Sequence, residues 1–277
     1  MSKKGNGEMT FLEHLEELRW VIVRSLIGIC TTAIIAFCFK EFIFNKILLA
    51  PRSPEFISNK VICRLGLYAK HALDRFFTFP DVCINQHPMP LQNITMGGQF
   101  NMHVWVSIVA GVIVGFPYVF YQFWNFINPA LHSKEKHYAR GAVFYSSVLF
   151  ITGVLFGYYV LLPFSIDFLT TYSVSNEIEN KINFVSYISN ITTITLACGL
   201  VFELPIVVYF LTRIGILTPA FMSKYWRHAV IVVLIIAAII TPPDVISQTL
   251  VAIPLILLYF GSILISKAVV RSKERQK

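Results

Sequence analysis

Apolar runs of bilayer-spanning length constrain this chain more than any single motif. A spanning helix needs about 20 mostly apolar residues, and such runs occupy roughly Val21 to Phe39, Val104 to Ile127, Ala142 to Leu169, Val185 to Leu211, Ala229 to Ile240 and Val245 to Ser266. The fifth is short. It lies between Arg227 and His228 at one end and Thr241, Pro242 and Pro243 at the other, so it suits a thinned or protein-lined part of the bilayer. Only 14% of the 277 residues are charged and 56% are hydrophobic, against about 25% charged in an ordinary soluble domain, and the mean hydropathy is +0.65. These values argue against a water-soluble globule. The expected fold is an all-α integral membrane protein with six transmembrane helices in a concave bundle.

Orientation follows from the basic residues. Fifteen of the 23 Lys and Arg fall on one side: Lys3, Lys4, Arg19 and Arg24, then Lys134, Lys136 and Arg140, then Arg213, Lys224 and Arg227, then the tail from Lys267. An even number of spans puts both termini on that side, which the bias of cytoplasmic loops toward positive charge makes the cytoplasm. The segment from Asn45 to Thr95 also holds six basic residues, but loops of that length report topology poorly. The net charge of +8 therefore serves orientation rather than nucleic-acid binding. One membrane domain is expected over 1–277, with an interfacial helix at 1–20, a long first outer loop at 45–95 and a basic cytoplasmic tail at 267–277. The polar start followed by Glu13, Glu16 and Glu17 does not resemble a cleaved secretory signal.

The long loop carries Pro51, Pro54, Pro80, Pro88 and Pro90 around short apolar stretches such as Val61 to Tyr68, which reads as a cap with one or two short helices. Cys30, Cys38 and Cys198 lie in apolar runs and read as inert small hydrophobes. Cys63 and Cys83 share the loop and match neither a zinc nor a redox Cys-x-x-Cys spacing. With the loop outside, they are expected to form a disulfide, which an oxidising compartment permits. Pro117, Pro163, Pro205 and Pro254 lie inside spans and favour kinks. Gly111-Val-Ile-Val-Gly115 and Gly153-Val-Leu-Phe-Gly157 have the small-xxx-small spacing that permits close helix contact.

No phosphate-binding Gly-rich loop, His-Glu-x-x-His or Gly-x-Ser-x-Gly occurs, and the seven histidines lack metal-ligand spacing within a span. An enzyme is not expected, nor a cofactor or metal. What remains is a few carboxylates in costly places. Glu203 lies about 15 Å of helix from Arg213, a depth at which an acid needs a cavity, a partner or a proton. It reads either as a neutral group bonded to a neighbouring helix or as a functional group on a substrate or partner path. At the amino end Phe11, Leu12, Leu15, Leu18 and Ile22 share one helical face, and Glu13, Glu16 and Glu17 share the polar one. Glu135 is the only carboxylate between the second and third spans. Two acids on separate cytoplasmic elements suit a pair of cationic groups.

Four motifs carry a resemblance. His14-Leu15-Glu16-Glu17-Leu18-Arg19, Tyr121-Gln122-Phe123-Trp124-Asn125-Phe126-Ile127-Asn128-Pro129-Ala130-Leu131, Phe202-Glu203-Leu204-Pro205 and Thr241-Pro242-Pro243-Asp244-Val245-Ile246-Ser247-Gln248-Thr249 resemble, in order, the signatures of the TatC family. TatC is the multispanning subunit of the twin-arginine translocase. The resemblance implies a receptor and core scaffold in the bacterial cytoplasmic membrane, which binds signal peptides with two consecutive arginines and supports export of folded proteins driven by the proton-motive force. The implied partners are those peptides, single-span TatA and TatB proteins, membrane lipids and other TatC protomers, with no nucleic acid.

By position, the resemblance assigns Glu17 and Glu135 to the arginine pair, with Arg19 and Phe126 beside them. It assigns Pro51 to the outer cap, Glu203 to the concave side of the bundle, and Thr241 and Gln248 to docking of TatA and TatB. Carboxylates suit arginine because the pairing is directional and can be bidentate. Two departures stand out. Trp20-Val21-Ile22-Val23 is less basic than the family's usual continuation, which would soften discrimination among signal peptides, and the first loop is longer than the family's minimum. The rival reading is a secondary transporter or proton channel using Glu203 and Asp244 as a relay, although no internal repeat of the kind common in transporters is visible.

Overall fold

The computed structural model describes residues 11–73, 83–86, 90–127, 139–175, 177, 180–241 and 245–274. Along them run α1 (Phe11–Cys38), α2 (Lys40–Phe42), α3 (Ile57–Leu73), α4 (Gly98–Ile127), α5 (Ala139–Phe156), α6 (Leu162–Thr171), α7 (Phe184–Val201), α8 (Leu204–Arg213), α9 (Pro219–Lys224), α10 (Trp226–Ile240) and α11 (Val245–Glu274). The two-residue strands β1 (Leu91–Gln92) and β2 (Ile182–Asn183) pair in parallel. Among the described residues, five stretches are long and apolar enough to cross a membrane: Leu12–Cys38, Gly98–Phe126, Gly141–Thr171, Phe184–Arg213 and Ser247–Ser272. The fifth apolar run of the sequence forms α10, whose 15 residues reach about 22 Å against a hydrocarbon core of about 30 Å.

Each interruption in a long helix has a local cause. Pro205 has no N–H to donate to the preceding turn, and the chain opens into a turn at Phe202 and Glu203 before α8 starts with that proline in its first turn. Ahead of Pro163 the helix widens into a π turn, Gly157–Leu161, a known way to absorb a lost bond. Pro117 and Pro254, by contrast, lie inside α4 and α11 with no break in either helix. The amino-terminal segment expected at the interface joins the first span directly, since α1 is one 28-residue helix.

The chain divides into two compact units, residues 1–38 with 107–147 and residues 39–106 with 148–277. In the first, α1 packs closely on α4. A Cβ at Gly111 would stand 2.8 Å from the backbone nitrogen of Ala33, and one at Gly115 would stand 3.2 Å from Thr32 Oγ1. Thr32 Oγ1 donates to the Gly111 carbonyl at 2.8 Å, a cross-helix hydrogen bond that only close backbones allow.

The core of the second unit centres on α7, where Ile188, Ile191, Ile194 and Cys198 are buried with Leu161, Leu162, Val251 and Leu255. Here the other glycine pair is the contact: a Cβ at Gly153 would meet the Cys198 carbonyl at 2.6 Å, and one at Gly157 would meet the Thr195 Cα at 3.2 Å. Buried hydroxyls and an indole join helices by hydrogen bonds, with Trp105 to Thr192 at 3.0 Å, Ser165 to Ser247 at 3.2 Å and Thr212 with Ser266 at 2.9 Å.

The described residues of the Asn45 to Thr95 segment gather around two asparagines. Asn59, 1% exposed, donates to the carbonyls of the buried Pro51 at 3.0 Å and of Ser53 at 2.8 Å. Asn85 takes a left-handed backbone with φ 53°, a conformation asparagine tolerates better than most residues. Its amide N–H donates to Asp167 Oδ1 at 2.9 Å, and its side chain donates to Asn59 Oδ1 at 3.4 Å and to the Pro163 carbonyl at 3.1 Å. Cys63, on α3, is disulfide-bonded to Cys83, two residues before Asn85.

Candidate functional site

The acidic face of α1 borders a cavity of about 370 Å³ lined by Glu13, Glu16, Glu17, Trp20, Val21 and Arg24 from α1 and by Gln122, Asn125 and Phe126 from α4. The spacing explains the set. Glu13, Glu16, Glu17, Trp20, Val21 and Arg24 recur at three- and four-residue steps and share one helical stripe, and Gln122, Asn125 and Phe126 do the same on α4. Val21 and Gln122 are buried and seat the two helices together. Phe126 is held by His14, whose ring stacks on it with centroids 4.4 Å apart and planes 20° apart. The opposite face, with Leu12, Leu15 and Ile22, is exposed, as suits a lipid-facing surface.

Chemically, three carboxylates, two side-chain amides and two aromatic rings converge on a space wide enough for a cationic side chain. Of the residues the sequence assigned to cation recognition, Glu17 and Phe126 line this cavity together. Arg19 is exposed and absent from the lining, because two residues along a helix turn a side chain to the other side. Glu135 lies outside the described residues. The sequence places Glu13 and Glu16 on the polar face with Glu17 but assigns neither to the cation, and it leaves Gln122 and Asn125 unassigned, although their spacing from Phe126 puts them on one stripe of α4.

The remaining assigned residues lie in the second unit. Glu203 is 8% exposed at the turn between α7 and α8, where its N–H donates to the Leu200 carbonyl and its own carbonyl accepts from Ile206 and Val207. Thr241 is buried at the end of α10, with Oγ1 donating to the Ala237 carbonyl at 2.9 Å, and it borders a polar cavity of about 440 Å³ with Asn183, Ser186 and Asn190. Gln248 reaches from α11 to the Leu234 carbonyl of α10 at 3.4 Å. Asp244 lies outside the described residues.

A family model described as "Sec-independent protein translocase protein (TatC)" matches residues 13–254. The chain belongs to the TatC family. Its likeness to individual TatC proteins extends over nearly its whole length: it is 40% identical over 271 residues to the TatC of Blattabacterium sp. subsp. Periplaneta americana, covering 98% of this chain and 100% of that one. It is 34% identical over 264 residues to the TatC of Desulforapulum autotrophicum, covering 95% and 86% respectively. Two crystal structures described as "Twin Arginine Translocase Receptor- TatC" share its fold. One has a TM-score of 0.69 at 31% identity, covering 93% of this chain and 100% of that one. The other, in DDM, has a TM-score of 0.70 at 30% identity and covers 91% and 98%. The TatC match begins at Glu13, the first acid of the cavity, and contains Phe126, Glu203, Thr241 and Gln248. With five helices of spanning length among the described residues, this TatC chain is a multi-pass membrane protein of a Sec-independent protein translocase.

Proposed function

We propose that the chain is the receptor and core scaffold of a twin-arginine translocase in the bacterial cytoplasmic membrane, with six spans and both termini in the cytoplasm. It binds signal peptides with two consecutive arginines and, with TatA- and TatB-type single-span partners, supports export of folded proteins driven by the proton-motive force. The observation that carries this reading is the α1 and α4 cavity, where Glu17 and Phe126 meet on facing helices beside Glu13, Glu16 and two amides. Fixed carboxylates on a partly enclosed surface suit guanidinium groups, which pair with them through parallel hydrogen bonds. Glu135 supplies a second anion, so that each arginine has its own. Arg19, which the resemblance sets beside this site, flanks it on the same helix.

Glu203 is the intramembrane polar group that the signal helix or a partner helix reaches, and Thr241 and Gln248 mark where TatA and TatB dock against α10 and α11. Pro51 and the Cys63 to Cys83 bond brace the outer cap. Lipids and further TatC protomers complete the assembly.

Site-specific crosslinking tests the location. A photoreactive residue at Asn125, in the cavity lining, should capture an Arg-Arg signal peptide, whereas one at Ile231, exposed on α10, should not. Capture at Ile231 without capture at Asn125 would remove the cavity from the reading.

A further inference from the structure

We propose that Trp20 makes the α1 and α4 cavity prefer arginine to lysine. This rests on the receptor reading above and adds to it a specificity-determining side chain.

A guanidinium is flat, weakly hydrated and edged by five N–H donors, whereas an ammonium is a compact, strongly hydrated point charge. Carboxylates alone attract both. To discriminate, a site needs a flat apolar face against which a planar cation can stack, with acceptors placed around the edge of that face. The cavity has both parts. Trp20 follows Glu16 by four residues and Glu17 by three, so its indole rises from the same stripe as the acids, and it lines the same cavity as Glu13, Glu16 and Glu17.

Two observations single out Trp20 among the rings near the acids. Phe126 already has one face covered by His14 at 4.4 Å. Trp20 is 53% exposed and makes no ring contact or hydrogen bond among the described residues, so its face is open to an incoming group. Arg24, the cation among the described lining residues, stands one turn further along α1 and makes no cation–π contact with Trp20. Tryptophan is also the aromatic side chain that binds cations best, and arginine uses such faces more often than lysine.

The test uses purified full-length protein with labelled signal peptides that differ only in an Arg-Arg or a Lys-Lys pair. Trp20→Ala should weaken Arg-Arg binding about two- to five-fold, the range of an exposed cation–π contact, and should change Lys-Lys binding less, so that the affinity ratio falls. Trp20→Phe should keep most of the ratio. Both variants should melt at the wild-type midpoint because the side chain is exposed. An unchanged ratio in Trp20→Ala, whether both affinities fall together or neither moves, overturns the role of Trp20 and leaves the receptor reading standing. Wild-type protein that binds neither peptide overturns the receptor reading, and this inference with it.

Discussion

Gly153 has no room for a methyl group, since the nearest atom to its missing Cβ would be a backbone carbonyl oxygen at 2.6 Å, whereas Gly261 has nothing within 4 Å. Gly153→Ala should therefore cost about 1–3 kcal/mol as the helices move apart, while Gly261→Ala should be neutral or should stabilise by up to about 1 kcal/mol through helix propensity. Unfolding midpoints in one detergent compare the two directly. Glu203 sets a different constraint, because it is buried at a depth where charge is expensive. Export should survive Glu203→Gln, which keeps polar atoms without charge, should drop in Glu203→Ala and should fail in Glu203→Lys. Undiminished export by Glu203→Ala would make the residue purely structural. At this scale Glu17 and Phe126 were legible in the sequence through motif and helical face. That the Gln122 and Asn125 stripe of α4 faces the acids of α1 was not, because which stripe meets α1 is decided by the Gly111 and Gly115 contact, a tertiary fact.

Among the elements, the cap joins pieces of chain far apart in sequence. Asn59 and Asn85 tie the Pro51 turn to Pro163 and Asp167, and the Cys63 to Cys83 bond, spanning 20 residues, holds Asn85 near α3. Replacing both cysteines with serine should lower stability by up to about 3 kcal/mol and open the segment between Asn59 and Asn85 to limited proteolysis. Asn59→Ala, which takes the side-chain donor from the Pro51 carbonyl and leaves Ser53 only its bond from the Phe56 N–H, should cost about 1–3 kcal/mol with the disulfide intact. A protease pattern identical to wild type in both variants would mean that the cap is held by other contacts. Five of the six expected spans were legible because apolar runs and their charged or proline boundaries survive any packing, and the break at Glu203 was legible through Pro205. The continuity of α4 through Pro117 and of α11 through Pro254 was not, since a lost backbone bond in a spanning helix is tolerated wherever neighbouring groups re-satisfy it. The asparagine clasp left no trace because it joins residues 78 and 82 apart, and no local pattern encodes it.

For the whole molecule, fold and family agree over nearly the entire chain, and its orientation and its ligand are each open to direct measurement. Orientation predicts that Ser58→Cys is labelled by an impermeant thiol reagent in intact cells and Ser2→Cys is not. The reverse pattern would place the Glu17 cavity on the wrong side for cytoplasmic signal peptides. The ligand question is answered most directly by titrating an Arg-Arg signal peptide onto purified wild-type protein and onto Glu17→Lys. Glu17 is half-buried at the surface of α1, where substitution costs little stability, so the variant should stay folded while its new cation repels the arginine pair. The expected result is saturable binding to wild type, weakened by high salt because exposed charges are screened over about 8 Å at physiological ionic strength, and loss of binding in the variant. Equal affinity of the folded variant and wild type for the Arg-Arg peptide would contradict the account and reduce the three carboxylates of α1 to a solvated face.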